Sequence, residues 1–248
     1  MYGWRARIGH ISPGAGSNWE LHAATPEGIS WIEGRLLMSA PNQEEFESGY
    51  ENIDRVAVQL AERAKVDMIV LGGWPLSIGA LVRKVKRKYG HDRQLIARLE
   101  GLTGKPVTTG ITCQVEAMQL LGVKRLVVVT PVTREANDDL RQFLEDSGFD
   151  VVAIRGMGMS RSIDEKKIPL YATYRFAREV FLGSGGADAL LFPSSGFPAA
   201  PNTEKLENDL GVPVFNSSLC TLWGCMRRLK IREPIRGWGS LLERHWQA

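Results

Sequence analysis

The stretch Ala189-Leu190-Leu191-Phe192-Pro193-Ser194-Ser195-Gly196-Phe197, followed after a helix-length segment by Leu210-Gly211-Val212-Pro213-Val214, decides the fold. A short run that is apolar at every position ends in a Pro-Ser-Ser-Gly turn. An amphipathic segment over 203–210 follows, and a second short apolar run closes the unit. Strands without alternation are buried on both faces, the habit of parallel sheets covered by helices.

Working outward, the same rhythm fills the chain. Strands are predicted at 126–130, 151–154, 189–192 and 212–215, with helices at 134–147, 168–182 and 203–210 between them. An earlier series has strands at 5–11, 29–38, 66–71 and 106–108. Its helices fall at 44–65, 78–89, 94–102 and 112–121, the first carrying Phe46, Ile53, Val56, Val58 and Leu60 at helical spacing. The expected class is α/β: two similar three-layer lobes with mostly parallel sheets.

Composition excludes several classes. The 248 residues are 44% hydrophobic and 24% charged, as in ordinary globular chains, and the apolar runs are strand-length, far short of a membrane span. The N-terminus, Met1-Tyr2-Gly3-Trp4-Arg5-Ala6-Arg7, lacks the apolar core of a signal peptide, so a cytoplasmic location is expected. Cys113, Cys220 and Cys225 form neither a disulfide framework nor a zinc site and are expected as free thiols. The basic run Arg83-Lys84-Val85-Lys86-Arg87-Lys88 has no interleaved aromatic residues and reads as a solvated helix face, so no nucleic-acid partner is expected.

In parallel sheets ligands bind beyond the carboxyl ends of the strands, here the segments 12–18, 72–77, 130–133, 193–197 and 216–218. These are rich in Ser, Thr, Gly and Asn and contain no Lys or Arg. No phosphate-binding loop is present, and nothing calls for a metal or a cofactor. Hydroxyls and backbone N–H groups remain, a set suited to a carboxylate or an enolate-like oxyanion. A polar, uncharged cleft for a small acid is expected.

Five ordered motifs carry a family resemblance: Gly9-His10-Ile11-Ser12-Pro13; Thr25-Pro26-Glu27-Gly28-Ile29-Ser30; Asp67-Met68-Ile69-Val70 with 73–77; Leu121-Gly122-Val123-Lys124-Arg125 with Thr130-Pro131; and Leu210-Gly211-Val212-Pro213-Val214 with Ser217-Ser218. The chain resembles the aspartate/glutamate racemase superfamily and, within it, the branch of maleate cis-trans isomerases and arylmalonate decarboxylases. The resemblance implies a pseudo-twofold axis and a substrate cleft between the lobes. It divides the chain into lobes at 1–111 and 112–216, with a helix and tail at 217–248 returning to the first lobe. Family members commonly form homo-oligomers.

Racemases and isomerases of this superfamily use one cysteine from each lobe, and the decarboxylase keeps only the second. By the same resemblance, the first place falls on Gly73 and the second on Ser194, so both cysteines are substituted here. Ser194 is the expected catalytic residue, as a hydrogen-bond donor to a substrate carboxylate or, less economically, as a nucleophile needing an adjacent base. Gly16, Asn18, Gly73, Trp74, Ser77, Thr130, Val132, Ser195 and Gly196 are the expected substrate-binding set. Trp74 and Pro75 replace hydroxyl and N–H donors of the decarboxylase, and Val132 replaces a tyrosine. Asn18 follows Pro13 by five residues where the isomerase asparagine follows by three, so a turn or cap role competes with a substrate contact. Cys113 is expected as a packed core residue, and Ser217 and Ser218 as helix N-caps.

Three readings follow. The first is a cofactor-independent enzyme on a small mono- or dicarboxylic acid, decarboxylase-like or isomerase-like, hence a carboxy-lyase or isomerase. The second is hydrolase or lyase chemistry through Ser194 or Ser195, which requires a histidine or carboxylate within reach of a serine. The third is a non-catalytic small-acid binder.

Overall fold

The computed structural model describes residues 3–14, 18–38, 43–80, 85, 89–159 and 162–246. Gly16 and, apart from Val85, the basic run 83–88 lie outside the described residues.

In the first half, β1 (Ala6–Gly14), α1 (Trp19–Ala24), β2 (Ile29–Met38), α2 (Gln43–Glu62), β3 (Met68–Leu71), α3 (Trp74–Ile78), α4 (His91–Thr103) and β4 (Val107–Thr109) build a parallel sheet of order β2-β1-β3-β4. After α5 (Gly110–Leu120) the pattern repeats with β5 (Arg125–Thr130), α6 (Arg134–Asp146), β6 (Asp150–Gly156), α7 (Ser162–Glu165), α8 (Leu170–Leu182), β7 (Ala189–Phe192), α9 (Thr203–Leu210) and β8 (Val214–Asn216). This second parallel sheet has the order β6-β5-β7-β8. Helices α10 (Ser217–Arg228) and α11 (Ser240–Arg244) end the chain.

The apolar runs explain the layers. Every residue of β3 and β7 is buried, so both faces of each strand need a covering layer. One face of the first sheet packs under α2 and α4 through Ile11, Ile53, Val56, Leu60, Leu95 and Leu99. One face of the second packs through Val127, Val129, Val180, Phe181, Phe192 and Leu206. The remaining faces share a single core that runs from Ile8, Met68 and Val70 through α5 and α10 to Leu126, Val128 and Leu191. Gly34 on β2 is required by this packing, because a Cβ there would run into Val56 on α2.

The structure corrects several sequence expectations. Instead of a helix at 78–89, a short α3 ends at Gly79, whose left-handed φ of 66° stops it; most of the remaining segment lies outside the described residues. β8 begins at Val214 rather than 212, since Pro213 has no N–H for a ladder. Short helices α1, α7 and α11 were not anticipated. Neither Ser217 nor Ser218 caps α10: the Asn216 side chain accepts from the N–H groups of Ser218 and Leu219, at 2.9 and 3.4 Å. The Ser217 hydroxyl instead accepts from Gln114 Nε2 at 3.1 Å.

Asn216→Ala is expected to cost about 1–2 kcal/mol, because the cap is buried and its N–H groups are left without water as a substitute. Urea unfolding of the two proteins checks this, and an unchanged midpoint would refute it.

Candidate active site

The loops after β3 and β7 meet at the seam between the lobes. Gly73 has a φ of 75°, open to glycine and costly for other residues, and a Cβ there would lie 2.6 Å from Pro13 Cγ. The turn it makes launches α3 with Trp74 in its first turn and Pro75 where no N–H is needed. The Trp74 side chain is fully buried and crosses to the other lobe, where its Nε1–H donates to Ser194 Oγ at 3.1 Å. The expected substrate-binding residue is therefore a bolt between lobes, standing over the Gly73 turn.

The other hydroxyls on the strand ends are engaged internally. Ser77 Oγ donates to the Gly73 carbonyl at 3.0 Å, and Thr130 Oγ1 donates to Asn137 Oδ1 at 2.8 Å; both residues are wholly buried. Val132 is packed into the shared core. Ser195 and Gly196 differ. They line a cavity of about 200 Å³ together with Asn18, Glu20, Lys166 and Pro198, so that both lobes supply its wall. Among the described residues, no group accepts from the Ser195 or Gly196 N–H.

This cavity is charged, contrary to the uncharged cleft expected from the strand-end segments. Glu20 on α1 is 4% exposed, and its Oε1 accepts from the N–H groups of Ala199 and Ala200 at 3.0 and 3.2 Å. Burial outweighs those N–H groups and the charge of Lys166, and raises the carboxyl to about 7. Glu165, at the end of α7, is likewise raised to about 7 by burial against the opposing pull of Lys166. Burial lowers Lys166, with Glu165 and Glu20 opposing and Arg35 adding to the effect. Gly196 makes room for this group, since a Cβ there would run into Glu165 Oε2.

A second polar cluster lies at the ends of β1 and β2. His10 Nδ1 sits 3.1 Å from Glu33 Oε1, and the Asn18 amide donates to both Glu33 oxygens and to Ser12 Oγ at 3.1–3.3 Å. Burial works to raise Glu33, but the His10 hydrogen bond and charge, with Asn18 and Arg35, overcome it and hold the carboxyl below its ordinary value. The His10 ring fills the space that a Cβ on Gly72 would take. Asn18 thus precedes α1 without capping it and faces the carboxylate instead.

All three thiols are buried in the shared core. Cys113 faces Gly224 of α10, and burial raises its thiol to about 11; burial likewise raises Cys220 and Cys225 well above the ordinary thiol value. They are poor sources of thiolate. Among the described residues, Ser194 has no histidine or carboxylate partner that would make it a base-activated nucleophile.

Glu20 and Glu165 were missed in the sequence because each sits in a short segment, Glu20 in α1 and Glu165 beside Asp164 in α7, outside the strand-end segments that point to a site. Their raised values have a sign that experiment can read. A carboxyl at 4.5 unfolded and about 7 folded holds its proton more tightly in the native state, so the stability it contributes falls as pH rises between those values. Glu20→Gln should remove that term, and between about pH 5 and about pH 7.5 the variant should gain on the order of 2 kcal/mol relative to wild type. Urea unfolding at the two pH values measures it; a constant difference would contradict the assignment.

The model of the family Amdase, arylmalonate decarboxylase, matches residues 9–242. Maleate isomerase of Pseudomonas putida is 24% identical over 256 residues, covering 95% of this chain and 96% of that protein. Arylmalonate decarboxylase of Bordetella bronchiseptica is 24% identical over 179 residues, covering 72% and 73% of the two chains. The fold is shared with the crystal structure of maleate isomerase Iso from Pseudomonas putida S16, at a TM-score of 0.87, 20% identity and coverage of 96% and 98%. A crystal structure of arylmalonate decarboxylase superposes at a TM-score of 0.81, 22% identity and coverage of 95% and 98%. With 234 consecutive residues matched (9–242), the chain belongs to the arylmalonate decarboxylase family.

Proposed function

We propose that this protein is a cofactor-independent enzyme acting on a small mono- or dicarboxylic acid, of decarboxylase or isomerase type, without the thiol pair of its relatives. The observation that carries the reading is the cavity of about 200 Å³ walled by both lobes and floored by the Ser195-Gly196 turn, which follows Ser194 in the chain. Its volume is below that of pockets for drug-sized ligands and suits a short acid. Decarboxylase character is favoured over two-thiol isomerisation because Gly73 occupies the first family cysteine place and Ser194 the second.

The chemistry follows from what these groups offer. Decarboxylation breaks the bond from the α-carbon to one carboxyl group, releases carbon dioxide and leaves an electron pair delocalised onto the remaining carboxyl. The intermediate is an enolate, stabilised by N–H donors aimed at its oxygen. The Ser195 and Gly196 N–H groups serve as those donors. Ser194 accepts the Trp74 N–H on one lone pair and keeps its own proton to donate to a substrate carboxylate. The indole thereby fixes the hydroxyl and excludes water from one side. A proton must then reach the α-carbon from water or from an acidic side chain.

The test is proton NMR in deuterium oxide with methylmalonate, phenylmalonate and maleate, after a thermal-shift screen of the same acids. Expected are deuterium at the α-carbon or loss of a carboxyl group, slowed about tenfold or more in Ser194→Ala by the lost hydrogen bond. Stabilisation with unchanged spectra for every acid would favour the non-catalytic binder instead. Turnover unaffected by Ser194→Ala would remove that residue from the mechanism.

A further inference from the structure

Glu20 presents a polar atom that the protein itself leaves unused. Its Oε1 is held by two backbone N–H groups of the second lobe, while Oε2 is buried and has no hydrogen-bond partner. An ionised carboxylate in that position would leave Oε2 with a desolvation cost that no hydrogen bond offsets. The residue also lines the interlobe cavity, across which Lys166 is the opposing charge. Resting on the reading above, we infer that this cavity is a proton-linked carboxylate site, in which Lys166 takes the ligand carboxylate and Glu20, protonated, donates its Oε2–H to the ligand.

The charge balance explains why binding and protonation go together. The charged groups acting here are Glu20, Glu165, Lys166 and Arg35; α10, which packs on α1, brings Cys220 and Cys225, whose thiols burial keeps neutral. With both carboxyls ionised around one lysine, a further carboxylate is repelled. With Glu20 protonated, that repulsion falls, and Oε2 changes from an orphan acceptor into a donor suited to an anion. Glu20 rests near 7, so a small displacement by the ligand completes its protonation at neutral pH. The ligand class is a short carboxylic acid in its anionic form, taken up together with one proton. The same proton lies within the cavity where an enolate would need one, which makes Glu20 the acid that replaces a thiol.

Isothermal titration calorimetry of the full chain with malonate and with neutral malonamide tests this directly. Malonate should bind and malonamide should not. Above about pH 7 the malonate Kd should rise by about tenfold per pH unit, the slope for one linked proton. Heats measured at about pH 8 in two buffers of different ionisation enthalpy should show uptake of close to one proton, a readout that needs no variant. Lys166→Met should weaken malonate at least about tenfold, and Glu20→Gln, which keeps a donor, should flatten the pH dependence. Absent binding, a pH-independent Kd, or wild-type affinity in Lys166→Met would each overturn the site. Bound malonate with no turnover of any acid would leave the site standing and sink the enzymatic reading. Turnover unaffected by Lys166→Met and Glu20→Gln would do the reverse.

Discussion

The packing of α5 against α10 is the constraint on which the rest of the molecule depends. Each helix follows the last strand of one sheet, and the two face each other so closely that a Cβ on Gly224 would run into Cys113 Sγ. Arg228 reaches back to Glu116 through two hydrogen bonds at 2.6 and 3.0 Å, and Gln114 links Ser217 to the Pro193 carbonyl. Ten successive buried residues, 217–226, leave α10 no solvent face in that stretch. The inner faces of both sheets therefore close on one core, and neither sheet is covered without the other half of the chain.

That shared core fixes where the strand ends meet, and the polar contacts across the seam follow from it. Glu20 of α1 reaches the backbone at 199–200, and the Trp74 side chain reaches Ser194. Neither contact forms within one lobe. A cavity bounded by both lobes is thus set by packing several residues away, a common arrangement for ligand sites.

Much of the fold was legible in the chain because periodicity is local. The strands at 29–38 and 189–192 and the helix at 203–210 coincide with the observed elements, since apolar runs bounded by Gly and Pro leave little ambiguity. Asn216 was overlooked as a cap beside two serines, although Asn, Ser and Asp compete closely for that position. The candidate site was only half legible. Ser195, Gly196 and Asn18 were read from their place after strands and do line the cavity; Gly16 lies outside the described residues. Ser77 and Thr130 were read by the same rule, yet their hydroxyls are engaged internally, by the Gly73 carbonyl and the Asn137 amide oxygen. Glu20, Glu165 and Lys166 converge from separate segments, and no spacing in the sequence announces a meeting that tertiary packing alone creates.

Trp74 ties these observations together. A Cβ at Gly73 would run into Pro13, and the positive φ of this glycine sets the turn from which Trp74 crosses to the other lobe. Once the indole is bonded to Ser194, the line between the two strand ends is occupied by an apolar ring. Under the proposed function the chemistry falls instead on the Ser195-Gly196 turn and the buried Glu20, which line the cavity. A hydroxyl with a pKa far above neutrality cannot replace a thiol as a proton carrier, whereas a carboxyl raised to about 7 can both give and take a proton near neutral pH. Burying Glu20 costs stability as pH rises, and the part it takes as an acid in the proposed reaction is a physical reason for a protein to retain that cost.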